Sequence, residues 1–157
     1  MLFDPEEYSD YFQDVALSSP ITVISPNGGE VWLLGSSQSI TWDENISSNS
    51  VNIKLYSSSD SSGSYTYYQT ISTATSNDGS SNWTIADSLS ESYYYKIRIE
   101  DYNNTSDYDE SDSYFTLSSP SITVTSPNGG EVWLLGSSQS ITWDENISSN
   151  SVNIKLY

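Results

Sequence analysis

Short runs in which apolar and polar residues alternate fill most of the chain, each bounded by turn residues. A period of two marks a half-buried β-strand. Ile21 and Val23, two apart, predict a first strand, and Ser25-Pro26-Asn27-Gly28-Gly29 predicts the turn after it, because proline presets φ and Asn-Gly tolerates φ > 0. Val31 to Leu33 reads as a short strand, Gly35-Ser36-Ser37 as a turn, and Gln38 to Asp43 as a strand with Ile40 and Trp42 on one face. Val51, Ile53 and Leu55 alternate with Asn52, Lys54 and Tyr56. Ser57 to Ser64 reads as a polar loop, Tyr65 to Ile71 as a strand, and Asn77-Asp78-Gly79 as a turn. Asn82 to Ile85 points Trp83 and Ile85 inward. Tyr93 to Glu100 points Tyr95, Ile97 and Ile99 inward and Tyr94, Lys96, Arg98 and Glu100 outward. Ser113 to Leu117 adds Phe115 and Leu117. Helix signals are weak, so the pattern predicts an all-β chain folded as a two-sheet sandwich.

The same pattern then starts again. Residues 21–56 and 122–157 are identical at all but one of 36 positions, Ile24 against Thr125, at an offset of 101 residues. That period exceeds the units of solenoids and fits one immunoglobulin-like or fibronectin-III-like sandwich of about seven strands per repeat, in tandem. Residues 1–18 read as an acidic linker or the last strand of a preceding module, residues 19–119 as a complete sandwich, and residues 120–157 as the first strands of a second, truncated module. The expectation is a longer array, or missing strands supplied by another molecule.

Composition narrows the setting. The chain carries 21 acidic residues, 4 basic residues and no histidine, a net charge of −17. One period, residues 21–121, holds 13 acids and 3 bases, hence −10. Such a surface repels nucleic acid and anionic membranes. Cysteine is absent, which excludes disulfides and thiol chemistry. No apolar run approaches a membrane span, and the first 20 residues have neither the basic nor the apolar region of a secretory signal.

The strings SPNGGEVW, GSSQSITWD, VNIKLY, SNDGSSNWTI, YYYKIRIED and DSYFTL resemble the KRE/KNH-type module, the immunoglobulin-like domain of Ser/Thr-rich, GPI-anchored cell-wall proteins. The resemblance covers residues 20–118 and 121–157. It implies an extracellular or cell-surface module and brings no catalytic residues with it. The expected function is a non-catalytic structural repeat of a stalk, adhesin shaft or filament, acting as a rigid spacer. The alternative is a carbohydrate-binding or cell-wall-associated module. The partners expected are neighbouring copies of itself and cell-wall polysaccharide.

Each candidate site competes with a plainer reading. Asp107, Asp109, Glu110 and Asp112 crowd the approach to the last strand. Clustered carboxylates are candidate ligands for Ca²⁺, which takes oxygen donors; a solvated acidic loop is the alternative, and no other cofactor is expected. Sequons occur at Asn45, Asn82, Asn103, Asn104 and Asn146. Asn45, Asn82, Asn104 and Asn146 are the glycosylation candidates, Asn45 and Asn146 falling at the same place in both repeats. Tyr65, Tyr67, Tyr68, Tyr93, Tyr94 and Tyr95 fill strands or stack on sugars. Lys54, Lys96 and Arg98, the bases of one period, alternate outward on neighbouring strands. They form a positive stripe suited to docking an acidic neighbouring copy. Carboxylate pairs without a cleft, histidine or cysteine give no enzyme signature.

Overall fold

A computed structural model describes residues 21–46 and 48–157. The expected linker or strand at residues 1–18 lies outside them. Nine strands build the first unit: β1 (Ile21–Ser25), β2 (Val31–Leu33), β3 (Ser37–Glu44), β4 (Ser50–Ser58), β5 (Thr66–Ser76), β6 (Ser80–Thr84), β7 (Tyr94–Asp101), β8 (Tyr108–Glu110) and β9 (Phe115–Ser118). One sheet has the order β1-β3-β6 and the other β2-β9-β7-β4-β5, with β8 also on β7. All pairings within the unit are antiparallel except β2 with β9, which is parallel. The fold is an all-β immunoglobulin-like sandwich.

The inward residues of both sheets meet in one core, because alternation places every second side chain on the same face. Ile21, Val23, Ile40, Trp42, Trp83 and Ile85 from one sheet face Val51, Ile53, Leu55, Tyr95, Ile97 and Ile99 from the other, and all are buried. Trp32 lies edge-on to Trp83 at 6.3 Å and tilted against Phe115 at 5.0 Å. Among the described residues every buried side-chain nitrogen and oxygen has a hydrogen-bond partner, as a dry interior requires. Ser111 is buried; its hydroxyl donates to the Pro26 carbonyl at 2.7 Å and accepts from Ile97 N–H at 3.0 Å. One side chain therefore ties the β8–β9 connection to both the first turn and β7.

Three expectations need correction. Ser57 and Ser58 continue β4 and are buried, so the polar loop begins two residues later. Tyr108 to Glu110 forms β8 where a loop was expected, pairing Arg98 with Glu110 and Ile99 with Asp109. Glu100 sits on the outer face but is buried, at 2 % exposure.

The second copy of the repeated segment has a different fate. β10 (Ser121–Ser126) and β11 (Thr142–Asn146) pair in the register of β1 and β3, with the same irregularity after Val124 as after Val23. The turn also recurs: Glu30 accepts from Asn27 and Gly28 N–H at 2.8 Å, and Glu131 from Asn128 and Gly129 N–H at 2.8 Å. Those backbone donors hold the Glu131 carboxyl below the usual carboxylate range, the Asn128 N–H most of all. Val132 to Leu134 and Ser151 to Tyr157, the counterparts of β2 and most of β4, are not strands. Their twins pair with β9, β5 and β7, elements from residues 66–118. Residues 122–157 contain no counterpart of these. Leu34 is 6 % exposed and its twin Leu135 is 104 % exposed; Leu55 is 0 % and Leu156 101 %. Local turns form from local sequence, whereas these strands need partners that follow the repeated segment, from Thr66 in β5 to Ser118 in β9.

Candidate binding face

The outer face of the larger sheet carries the bases and most of the outward tyrosines. β4 and β7 are adjacent, with Lys54 opposite Arg98 and Tyr56 opposite Lys96. The predicted stripe of Lys54, Lys96 and Arg98 is thus assembled, but its charge is largely spent within the unit. Lys54 pairs with Glu100 at 2.5 Å, and Glu100 also accepts from Asn52 Nδ2 at 3.2 Å. Arg98 pairs with Glu110, its Nε donating at 2.7 Å, and its guanidinium lies 4.5 Å from the Tyr56 ring centre and 4.0 Å from that of Tyr108. Planar guanidinium between two rings is a favourable cation–π arrangement.

Lys96 is held differently. Its ammonium donates to the Asp112 carbonyl at 3.1 Å and lies 5.3 Å from the Tyr65 ring centre. Tyr94 and Tyr114 meet edge-to-face at 4.7 Å beside it. Burial pushes the Tyr65 phenol up, with smaller contributions from Tyr114 and Tyr94. Of the other predicted tyrosines, Tyr95 is fully buried, with Tyr68 and Tyr93 edge-on to it. Tyr67 is exposed and edge-on to Tyr56. The tyrosines therefore divide between core and outer face.

The four crowded acids do not converge. Asp107 accepts from Asn104 Nδ2 at 2.9 Å, Asp109 from Val23 N–H at 2.8 Å, Glu110 from Arg98, and Asp112 from Asn27 Nδ2 at 2.8 Å. Among the described residues no three His, Cys, Asp or Glu side chains are grouped to hold a metal. Alternation along β8 and its flanks sends successive carboxylates to different partners. Asp109 fastens β1 from the other sheet, a structural role that its place in an acidic run conceals.

Asn45, Asn82 and Asn146 are exposed, Asn82 on edge strand β6. Asn103 Nδ2 donates to Ser48 at 3.1 Å and Asn104 Nδ2 to Asp107, so those two amides are already engaged. No helix among the described residues is long and apolar enough to cross a membrane.

A cleft was not foreseen. Lys96, Tyr65 and Tyr114 line it with Asp112 and the Ser61–Gly63 turn; it is a shallow, open depression of about 300 Å³. Its walls come from residues 61–65, 96 and 112–114, and no spacing motif links them.

The sequence profile of the Kre9/KNH-like N-terminal Ig-like domain matches residues 25–117. No curated protein and no solved structure matches the chain. The matched span runs from the end of β1 into β9, covers more than half of the 157 residues and takes in all of the sandwich but most of β1 and the last residue of β9. The chain belongs to the Kre9/KNH-like family of Ig-like domains, a family linked to the cell wall.

Proposed function

We propose that the complete repeat is a non-catalytic, load-bearing spacer of a cell-surface stalk or filament. The supporting observation is the parallel pairing of β2 with β9, where Val31 faces Thr116, Trp32 faces Leu117 and Leu33 faces Ser118. Gly29 N–H to Tyr114 O at 2.8 Å, Thr116 N–H to Glu30 O at 2.9 Å and Leu34 N–H to Ser118 O at 3.0 Å lengthen the seam. Tension on the two chain ends pulls parallel strands in opposite directions along their own axes. All the seam's hydrogen bonds then share the load, instead of breaking one after another. This arrangement suits a spacer under tension. Exposed polar side chains and a net charge of −10 per period keep repeats soluble and apart.

Because the chain has no cysteine, introduced ones give unique handles for single-molecule pulling. Handles made by Thr22→Cys with Ser119→Cys load the β1–β3 pairing first and then, through the first turn, the β2–β9 seam in shear. Handles made by Asn49→Cys with Asp78→Cys peel β4 from β5 from its open end, where Ser50 faces Ser76. The expected result is a clearly higher unfolding force for the first pair, reduced by Thr116→Pro, which deletes a seam donor. Equal forces along both axes would remove the support for a load-bearing role.

A further inference from the structure

The cleft beside Lys96 combines features that the spacer role does not use. Its aromatic side is formed by Tyr65 and Tyr114, the latter braced by Tyr94. Its polar side pairs a donor with an acceptor. Lys96 spends one of its three N–H groups on the Asp112 carbonyl. The Asp112 side chain gives one oxygen to Asn27 and keeps further lone pairs. Asn27 grips Asp112 twice, since its Oδ1 also accepts the Asp112 N–H at 2.7 Å. The carboxylate is thereby fixed in place without being used up. Ser61 and Ser62 also line the cleft, the Ser62 hydroxyl donating to Asp60 at 3.1 Å.

We propose that this cleft binds one neutral pyranose residue of a polysaccharide, with Tyr65 and Tyr114 against its C–H face and Lys96 and Asp112 bridging its hydroxyls. A sugar hydroxyl both donates and accepts, so an ammonium and a fixed carboxylate that line the same cleft suit the hydroxyls of one ring. Aromatic rings with polar tips suit the apolar face of the same ring. An anionic sugar is disfavoured by Asp112 in the wall and by the net charge of −10 per period. The volume is at the small end for ligand sites, which limits the cleft to about one ring. A single such site binds weakly, and repetition along an array raises avidity without any new contact. The proposal stands independently of the spacer reading.

The test is a backbone-amide NMR titration of the full chain with neutral glucose, mannose and galactose oligomers, and with an oligogalacturonate as the anionic arm. At least one neutral oligomer is expected to shift amides of residues 61–65, 94–96 and 112–114, with affinity in the millimolar range. Tyr65→Ala and Lys96→Gln should each weaken that binding about tenfold or more, while Tyr65→Phe keeps the ring and the binding. Melting temperatures of all variants separate lost binding from lost folding. The proposal is overturned by any of three results: no neutral oligomer shifting these amides at about 10 mM, undiminished shifts in Tyr65→Ala, or a response to oligogalacturonate alone.

Discussion

A single methyl group tests how tightly the first turn is held. Gly28 has φ +136°, and a Cβ there would lie 2.6 Å from the Ser113 Cβ, whereas its twin Gly129, at φ +122°, has nothing within 4 Å. Gly28→Ala therefore meets both backbone strain and a clash. It should cost about 2–4 kcal/mol in urea denaturation, while Gly129→Ala should leave the sandwich's midpoint unchanged. Tyr95 provides a second residue-scale test. Burial pushes its phenol up to about 12 from an ordinary 10.0. A raised acid pKa means that the folded state keeps a proton the unfolded chain has released. The contribution is complete below pH 10.0 and is lost as pH rises from there toward about 12. Tyr95→Phe should start less stable by about 1 kcal/mol, having lost the bond to the Ser90 carbonyl. The gap to the wild type should then narrow between those pH values. A constant gap would contradict the shift.

Pairing between elements explains both what the alternation reveals and what it hides. The strands of the core follow from period-two spacing alone, as with Val51, Ile53 and Leu55 or Tyr95, Ile97 and Ile99. β8 is invisible to that rule because Tyr108, Asp109 and Glu110 contain no apolar alternation. The complementary charges of Arg98 and Glu110 are the one signal that could have found it. The burial of Glu100 was also illegible, since it depends on Asn52 and Lys54 covering it from the neighbouring strand. The outward stripe was foreseen, but the cleft at its end was not, because its walls come from three separate parts of the chain. The Lys54–Glu100 pair makes a prediction at this scale. Lys54→Ala leaves a carboxylate that is 3 % exposed with its amide partner alone, and should cost about 2–3 kcal/mol. Adding Glu100→Ala should recover part of that cost, a coupling that a double-mutant cycle measures directly. Strictly additive losses would show that the pair carries no net interaction.

For the whole molecule, charge is the dominant unbalanced quantity. A net charge of −17 repels itself in the compact state, so added salt should raise the melting temperature by screening. Ca²⁺ and Na⁺ at equal ionic strength should do so equally, because Asp107, Asp109, Glu110 and Asp112 are tied to four different partners. A specific gain with Ca²⁺, reversed by chelator, would reveal a site that these contacts do not form. The unequal fates of the two near-identical segments have a consequence during synthesis. When the first 36 residues of a repeat leave the ribosome, only the short-range pair seen in β10 and β11 has its partners. The seam strand must wait for about 60 more residues, roughly 3–12 s at ordinary elongation rates, and the inner strand for its partners β5 and β7 within that interval. Throughout that interval a face bearing tryptophan, isoleucine and leucine is presented to whatever chain is nearby. The net charge of −10 per period then opposes mispairing between nascent strands and any neighbouring copy of the same repeat.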